Sequence, residues 1–184
     1  MRKTVRFVLA LAILLSTAPA FVQQQAAPPP EQLVFRPPFD LKLKIDKEHY
    51  YQEHFAEIPF VAAGDVYLFA GESFGINVTV VDDKITGVTY QPDSAKCDVS
   101  FRFSQEKLDK NEMIMMLTTR NGLKHRLLFD ALMTVPGKKG VFKTSILPIE
   151  PGLSNYESWP DPIVQLVLRN FRFVEKTPVS AGPK

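Results

Sequence analysis

One stretch constrains the fold more than any other: Met113 to Met133, which reads MIMMLTTRNGLKHRLLFDALM. Two runs rich in β-compatible apolar residues flank the dipeptide Asn121-Gly122. Both residues tolerate φ > 0, and a two-residue type I′ turn needs that at both central positions. The expectation is a β-hairpin in which Ile114 faces Phe129, Met116 faces Leu127 and Thr118 faces His125. That side is mostly apolar. The opposite side sets Met115 against Leu128, Leu117 against Arg126 and Thr119 against Lys124, so it is mixed. One buried face and one partly wet face is what a sheet in a two-layer β protein requires.

The same alternation recurs along the chain. In Phe39 to Ile45 the residues Phe39, Leu41, Leu43 and Ile45 alternate with Asp40, Lys42 and Lys44, the signature of a half-buried strand. Val66 to Ala70 is a further strand candidate. Phe74 to Val81 follows, with Ile76, Val78 and Val80 on one face; Asp82-Asp83 turns the chain, and Ile85 to Tyr90 returns as its partner. After a turn at Pro92-Asp93-Ser94, Cys97 to Phe103 alternates again, with Val99, Phe101 and Phe103 as its apolar set. Ser104 to Asn111 reads as a polar connection with room for one helical turn. Pro136 to Gly140 is a turn and Val141 to Leu147 a strand. In Ile163 to Val174 the apolar parity shifts between Leu168 and Phe171, which places a β-bulge, or a short helical start, near Asn170. Asp46 to Ile58 has no clean period and stays open between loop, irregular strand and short helix. Pro148 to Pro162 holds five prolines and glycines and reads as irregular.

About eight short strands with turn signals between them, and no long amphipathic helix, point to an all-β domain. The expected architecture is an antiparallel β-sandwich, immunoglobulin-like or jelly-roll-like, with a closed antiparallel β-barrel as the alternative. The Cys…Trp…Cys spacing of antibody domains is missing, so an immunoglobulin-like assignment rests on architecture alone.

The ends of the chain carry a different message. Arg2, Lys3 and Arg6 precede an apolar run from Phe7 to Leu15 and the small residues Ser16-Thr17-Ala18-Pro19-Ala20. This is the pattern of an export signal, residues 1–20, cleaved after Ala20. The run is short for a membrane span, so no stable membrane insertion is expected after cleavage. No cysteine stands at the cleavage point to take a lipid. Residues 21–38, which contain QQQAAPPP and Arg36-Pro37-Pro38, read as a Gln/Pro-rich linker. Residues 39–175 form the β-sandwich domain and residues 176–184 a disordered tail.

Removing the signal takes away three positive charges and turns the net charge from +2 to −1. The basic balance therefore belongs to the leader, which argues against nucleic acid as a partner. Cys97 is the sole cysteine, so a secreted or periplasmic chain of this kind has no internal disulfide and relies on a hydrophobic core, for which it has 14 Phe residues. Cys97 itself reads as a small buried residue rather than a reactive thiol.

Motifs for chemistry are sparse. His49-Tyr50-Tyr51-Gln52-Glu53-His54 approaches an inverted zinc-peptidase motif, but one extra residue puts His49 and His54 on different sides of a helix. Met113, Met115 and Met116 lie close together, and His125 falls diagonally near Met116 in the predicted pairing; soft ligands of this kind suit copper(I). Methionine in a strand is also ordinary core filler. No Gly-x-Ser-x-Gly elbow is present, and no cofactor or metal is assigned. Ser154 to Pro162 holds Trp159 and Tyr156 in a loop-like context suited to a carbohydrate or protein surface, or to a cap on the core. Asn77-Val78-Thr79 matches a glycosylation acceptor but sits mid-strand.

The sequence thus points to an exported, non-catalytic β-sandwich module that binds a protein or carbohydrate partner in the cell envelope or outside the cell. The alternatives are a hydrolase with a carboxylate site assembled from loops and a copper-binding periplasmic protein. Asp46–Ile58 and Pro148–Pro162 are the stretches expected to carry the function.

Overall fold

The computed structural model describes residues 33–108 and 112–175. The export signal, most of the linker and the tail lie outside the described residues. Among those described there is no helix; the chain runs through fourteen strands. β1 (Phe35–Arg36), β2 (Phe39–Lys44), β3 (Tyr50–Phe55) and β4 (Ile58–Pro59) form two small pairs, β1 with β4 and β2 with β3. The others are β5 (Val61–Ala62), β6 (Asp65–Phe69), β7 (Glu72–Val81), β8 (Lys84–Gln91), β9 (Val99–Lys107), β10 (Met113–Asn121), β11 (Leu127–Thr134), β12 (Phe142–Thr144), β13 (Ser154–Trp159) and β14 (Gln165–Phe173). They build two five-stranded antiparallel sheets, in the orders β13-β10-β9-β7-β8 and β12-β11-β14-β6-β5.

The two sheets pack face to face as a β-sandwich. Each keeps two edge strands, so the barrel alternative is not the one that forms. The alternation read in the sequence explains the packing. Phe74, Ile76, Val99, Phe101 and Phe103 point inward from one sheet; Leu68, Phe129, Leu166, Leu168 and Phe171 point inward from the other. Phe101 meets Phe129 and Phe171 edge-on at 6.1 and 6.3 Å between ring centres, across the layer. Each fully buried Phe contributes about 1.5–3 kcal/mol, so the aromatic centre carries much of the fold in place of disulfides.

The Asn121-Gly122 hairpin does not form. β10 ends in one sheet and β11 begins in the other, so residues 122–126 cross between layers. Met116 lies opposite Ser104 and Ser158, not Leu127. The core face of β10 is Met115 and Leu117, not Ile114 and Met116, whereas Leu127 and Phe129 of β11 are buried as expected. The side chain of Asn121 supplies the reason. It is fully buried, its Nδ2 donates to the carbonyls of His125 (2.9 Å) and Ile149 (3.0 Å), and its Oδ1 accepts from the N–H of Leu123 (3.0 Å). The amide thus staples the crossover, and an amide so placed is part of the core rather than a turn tip. Gly122 is required by proximity instead of φ: its N–H donates to the Asp98 carbonyl at 2.8 Å, and a Cβ there would stand 2.8 Å from that oxygen. Tight two-residue hairpin turns form instead at Ala63-Gly64, with φ 50° and 78°, and at Asp82-Asp83, with φ 49° and 57°, all in the left-handed region. Across the latter Val81 pairs with Lys84.

Other expectations meet the structure unevenly. The bulge in β14 is present: Asn170 has φ 55°, and the β11–β14 register slips between Leu128 and Asp130. Ser104 to Lys107 continues β9 in place of the expected connection, because β10 offers it a partner strand through Lys107. The strand expected over Val141–Leu147 covers only Phe142–Thr144. Tyr50–Phe55, left open by the sequence, is a strand, and part of the supposedly irregular Pro148–Pro162 stretch is the edge strand β13. Finally, the folded domain begins before Phe39. Arg36, assigned to the linker, is only 3 % exposed.

The β2–β3 hairpin buries Leu41 and Leu43. The side-chain amide of Gln105 accepts from the N–H of Lys44 and donates to its carbonyl, both at 2.8 Å, and so ties the hairpin to β9. The hairpin's turn is set by Asp46, whose Oδ1 accepts from the N–H groups of Glu48 and His49. The Glu48 N–H, then the His49 ring and the His49 N–H, hold the Asp46 carboxyl down at a pKa of about 2.

Candidate ligand cleft

The site residues suggested by the sequence are scattered. His49 bonds Asp46 through Nδ1 at 2.7 Å, and His54 bonds Asp40 at 2.8 Å, both on exposed turns or strand faces of the β2–β3 hairpin. Among the described residues no group of three or more His, Cys, Asp or Glu is placed to hold a metal. The pairing that brought His125 near Met116 is absent: His125 stacks on Phe173, at 4.7 Å between ring centres. Tyr156 and Trp159 stand on opposite faces of β13. Trp159 packs against the core edge and donates from Nε1 to Thr144 Oγ1 at 2.9 Å, whereas Tyr156 faces solvent. They do not make one surface. Cys97 is half-buried; its Sγ donates to the Ser94 carbonyl at 3.2 Å, and burial pushes its pKa up. The side chain of Asn77 accepts from the Asp98 N–H at 3.2 Å.

A different constellation comes together where the N-terminal strand pair meets the sandwich. β1 pairs with β4 with Arg36 opposite Ile58, and this aims the Arg36 side chain inward. The Ala70-Gly71 turn, with Gly71 at φ 95°, ends β6 and places Glu72 at the start of β7. Arg36 Nε donates to Glu72 Oε1 at 2.7 Å, and Nη2 reaches Oε2 at 3.3 Å. Nη1 donates to the carbonyls of Ile58 (3.2 Å) and Pro59 (3.0 Å), and Nη2 to that of Tyr67 (2.8 Å). A guanidinium has five N–H groups, and these contacts occupy all of them. The same group lies over the rings of Phe60, at 4.3 Å, and Phe69, at 5.0 Å.

Above this ion pair opens a cleft of about 430 Å³. Its walls are mainly aromatic. Phe60 and Tyr90 stack at 4.2 Å between ring centres, Phe74 meets Phe60 edge-on at 5.0 Å, and Phe39 lies edge-on to Phe69 at 5.0 Å. Burial raises the pKa of Glu72, opposed by the Phe69 N–H and by Arg36. Burial, and then the charge of Glu72, raises that of Tyr90. A second hollow of about 460 Å³ lies between Ile45–Lys47 and Glu112–Ile114, but it has no aromatic wall.

Neither Arg36 nor Glu72 was singled out in the sequence. Arg36 sits in an Arg-Pro-Pro run that reads as linker, and Glu72 in a turn-like AGESFG. The one available signal is that Phe35 and two prolines bracket a lone cation, which suits an anchored strand as well as a spacer. No known family, curated protein or solved structure matches the chain.

Proposed function

We propose that this chain is an exported, non-catalytic β-sandwich module that binds a ligand in the aromatic cleft above Arg36 and Glu72. The observation that carries this reading is the cleft itself. Its volume of about 430 Å³ falls in the range of small-ligand pockets, and its walls combine aromatic faces with few polar groups. The chemistry of the lining favours binding over turnover. Among the described residues Glu72 is the single carboxylate in the wall, and both it and Arg36 are engaged in holding strands together. A carboxylate-pair hydrolase needs a second acid within reach of the same substrate atom. The basic, apolar and small-residue pattern of residues 1–20 supports work outside the cytoplasm.

The test is saturable binding of a neutral, environment-sensitive naphthalene dye, followed by fluorescence, with Ser73→Trp as the blocking variant. Ser73 lines the cleft and is exposed, so an indole there adds bulk at the rim without disturbing the core. Binding is expected to be lost in Ser73→Trp and retained in Tyr156→Ala on the distant β13. Equal binding by the wild type and Ser73→Trp refutes the assignment.

A further inference from the structure

The polar groups of the cleft are not symmetric with respect to charge. Arg36 is 3 % exposed and all its N–H groups are consumed by Glu72 and by three carbonyls. It has no donor left for a ligand. Glu72 is different. Its side chain remains 20 % exposed; among the described residues Oε2 accepts from Arg36 and from the N–H of Phe69, whereas Oε1 accepts from Arg36 alone. A carboxylate has about four lone-pair sites, so Oε1 keeps acceptor capacity toward the cleft. The rest of the wall is mainly aromatic, from Phe39, Phe60, Phe69, Phe74 and Tyr90, and its other polar side chains are the neutral hydroxyls of Ser73 and Tyr90; aromatic π systems favour a nearby cation over an anion. Phe60 already accommodates one cation on its face in Arg36. A ligand entering from solvent therefore meets a carboxylate as the charged group with capacity left, while the resident cation is spent on its own partners.

We propose that the cleft selects a ligand with an apolar, ring-bearing body and a cationic, hydrogen-bond-donating head, an arylalkylamine in chemical class, and rejects anions. This rests on the cleft being a binding site. The body packs against the aromatic wall of Phe39, Phe69, Phe74 and Tyr90, and the ammonium donates to Glu72 Oε1. An anionic head at the same place faces a carboxylate and finds no free donor on Arg36.

The experiment compares three naphthalenes that share one ring and differ in the head: an aminomethyl, a hydroxymethyl and a carboxylate derivative, titrated calorimetrically into the full chain. The amine is expected to bind about three- to tenfold more tightly than the alcohol, with no saturable binding of the carboxylate. Added salt is expected to weaken the amine and leave the alcohol unchanged. Glu72→Gln should bring the amine down to the affinity of the alcohol; if that variant does not fold, the salt series on the wild type decides. Carboxylate binding as tight as that of the amine, or an alcohol that matches the amine at every salt concentration, overturns the charge selection and leaves the cleft a binding site. Failure of all three probes to bind, or amine binding untouched by Ser73→Trp, removes the site itself.

Discussion

Arg36→Met isolates the interaction that joins the N-terminal strands to the sandwich. The substitution keeps much of the side-chain volume and removes the guanidinium. Glu72 then remains largely buried without its counter-ion, and the carbonyls of Ile58, Pro59 and Tyr67 lose their donors. Breaking one side of a buried ion pair costs about 3–5 kcal/mol. The 20 % exposure of Glu72 lets water recover part of this, which places the loss near the lower end, about 3 kcal/mol. The lost contact over Phe60 adds about 0.5–1 kcal/mol. Against a total stability of about 5–15 kcal/mol for a domain, that is a large fraction. Urea unfolding followed by far-UV circular dichroism reads it directly. The pH dependence gives a second check. Burial raises the Glu72 pKa in the folded state, so its protonated form is the one that folding favours. The corresponding stability is present below the ordinary glutamate range and is lost as pH rises through the shifted value. Without Arg36 two of the influences that hold this pKa down are gone, and it rises further. The deficit of Arg36→Met relative to wild type is therefore largest at neutral pH and narrows in mild acid. In the double variant with Glu72→Gln the loss should be smaller than the sum of the single losses. A deficit under about 1 kcal/mol at neutral pH, or one independent of pH, shows that Arg36 is not a buried anchor.

Three further outcomes test other parts of the fold. Asn121→Ala removes the staple of the layer crossover, taking a donor from the His125 carbonyl and leaving that of Ile149 with the Leu127 N–H; a loss of about 2–4 kcal/mol is expected by denaturant titration, and a loss typical of an exposed turn residue would mean the crossover holds itself. Replacing Asp82-Asp83 by Asn-Gly relieves two left-handed aspartates and should raise the melting temperature slightly, consistent with about 0.5–1 kcal/mol; an unchanged or lower melting temperature would mean the aspartates are not strained there. A fusion of residues 1–20 to a reporter active only after export is expected to give signal in a bacterial host, and Arg2, Lys3 and Arg6 replaced by Glu should reduce it; cytoplasmic retention of the parent fusion removes the case for export.

How much of this was legible in the residues depends on the range over which each signal acts. Alternation is local, and it located most strands of both sheets and the sandwich class, because period-two burial is dictated by the pleat itself. The bulge at Asn170 was legible for the same reason: an extra residue shifts apolar parity within the strand that contains it. Pairing is not local. Asn121-Gly122 and Asp82-Asp83 both stand between β-rich runs, and the dipeptide with the stronger turn preference is the one that is not a hairpin. What overrode propensity at Asn121 was a set of buried carbonyls from residues 125 and 149, invisible until the chain is folded. With β10 and β11 in different sheets, the inward face of β10 is set by β9 and β13: Met115 turns inward and Met116 away, and the methionine–histidine neighbourhood goes with the lost pairing.

The cleft was harder still to see, and for a reason that applies to both its charges. A buried ion pair is defined by two residues far apart in sequence, here 36 and 72, each unremarkable alone. Arg36 lies in a proline-rich run whose composition resembles a spacer, yet its backbone is ordered by two β-pairs and its side chain by five hydrogen bonds. Burying such a pair is at best a modest gain in stability relative to apolar residues of the same shape. Its presence is more readily understood as placement. The guanidinium fixes β1 and β4 against β6 and β7, and those strands hold Phe60, Phe69 and Phe74 around the opening. Replacing the pair with two hydrocarbons of matching volume would keep the sandwich and close the cleft's one polar foothold. On that account a paired Arg36→Met/Glu72→Leu variant separates the two roles: it should recover stability relative to Arg36→Met alone and still fail to distinguish an amine from an alcohol in the cleft.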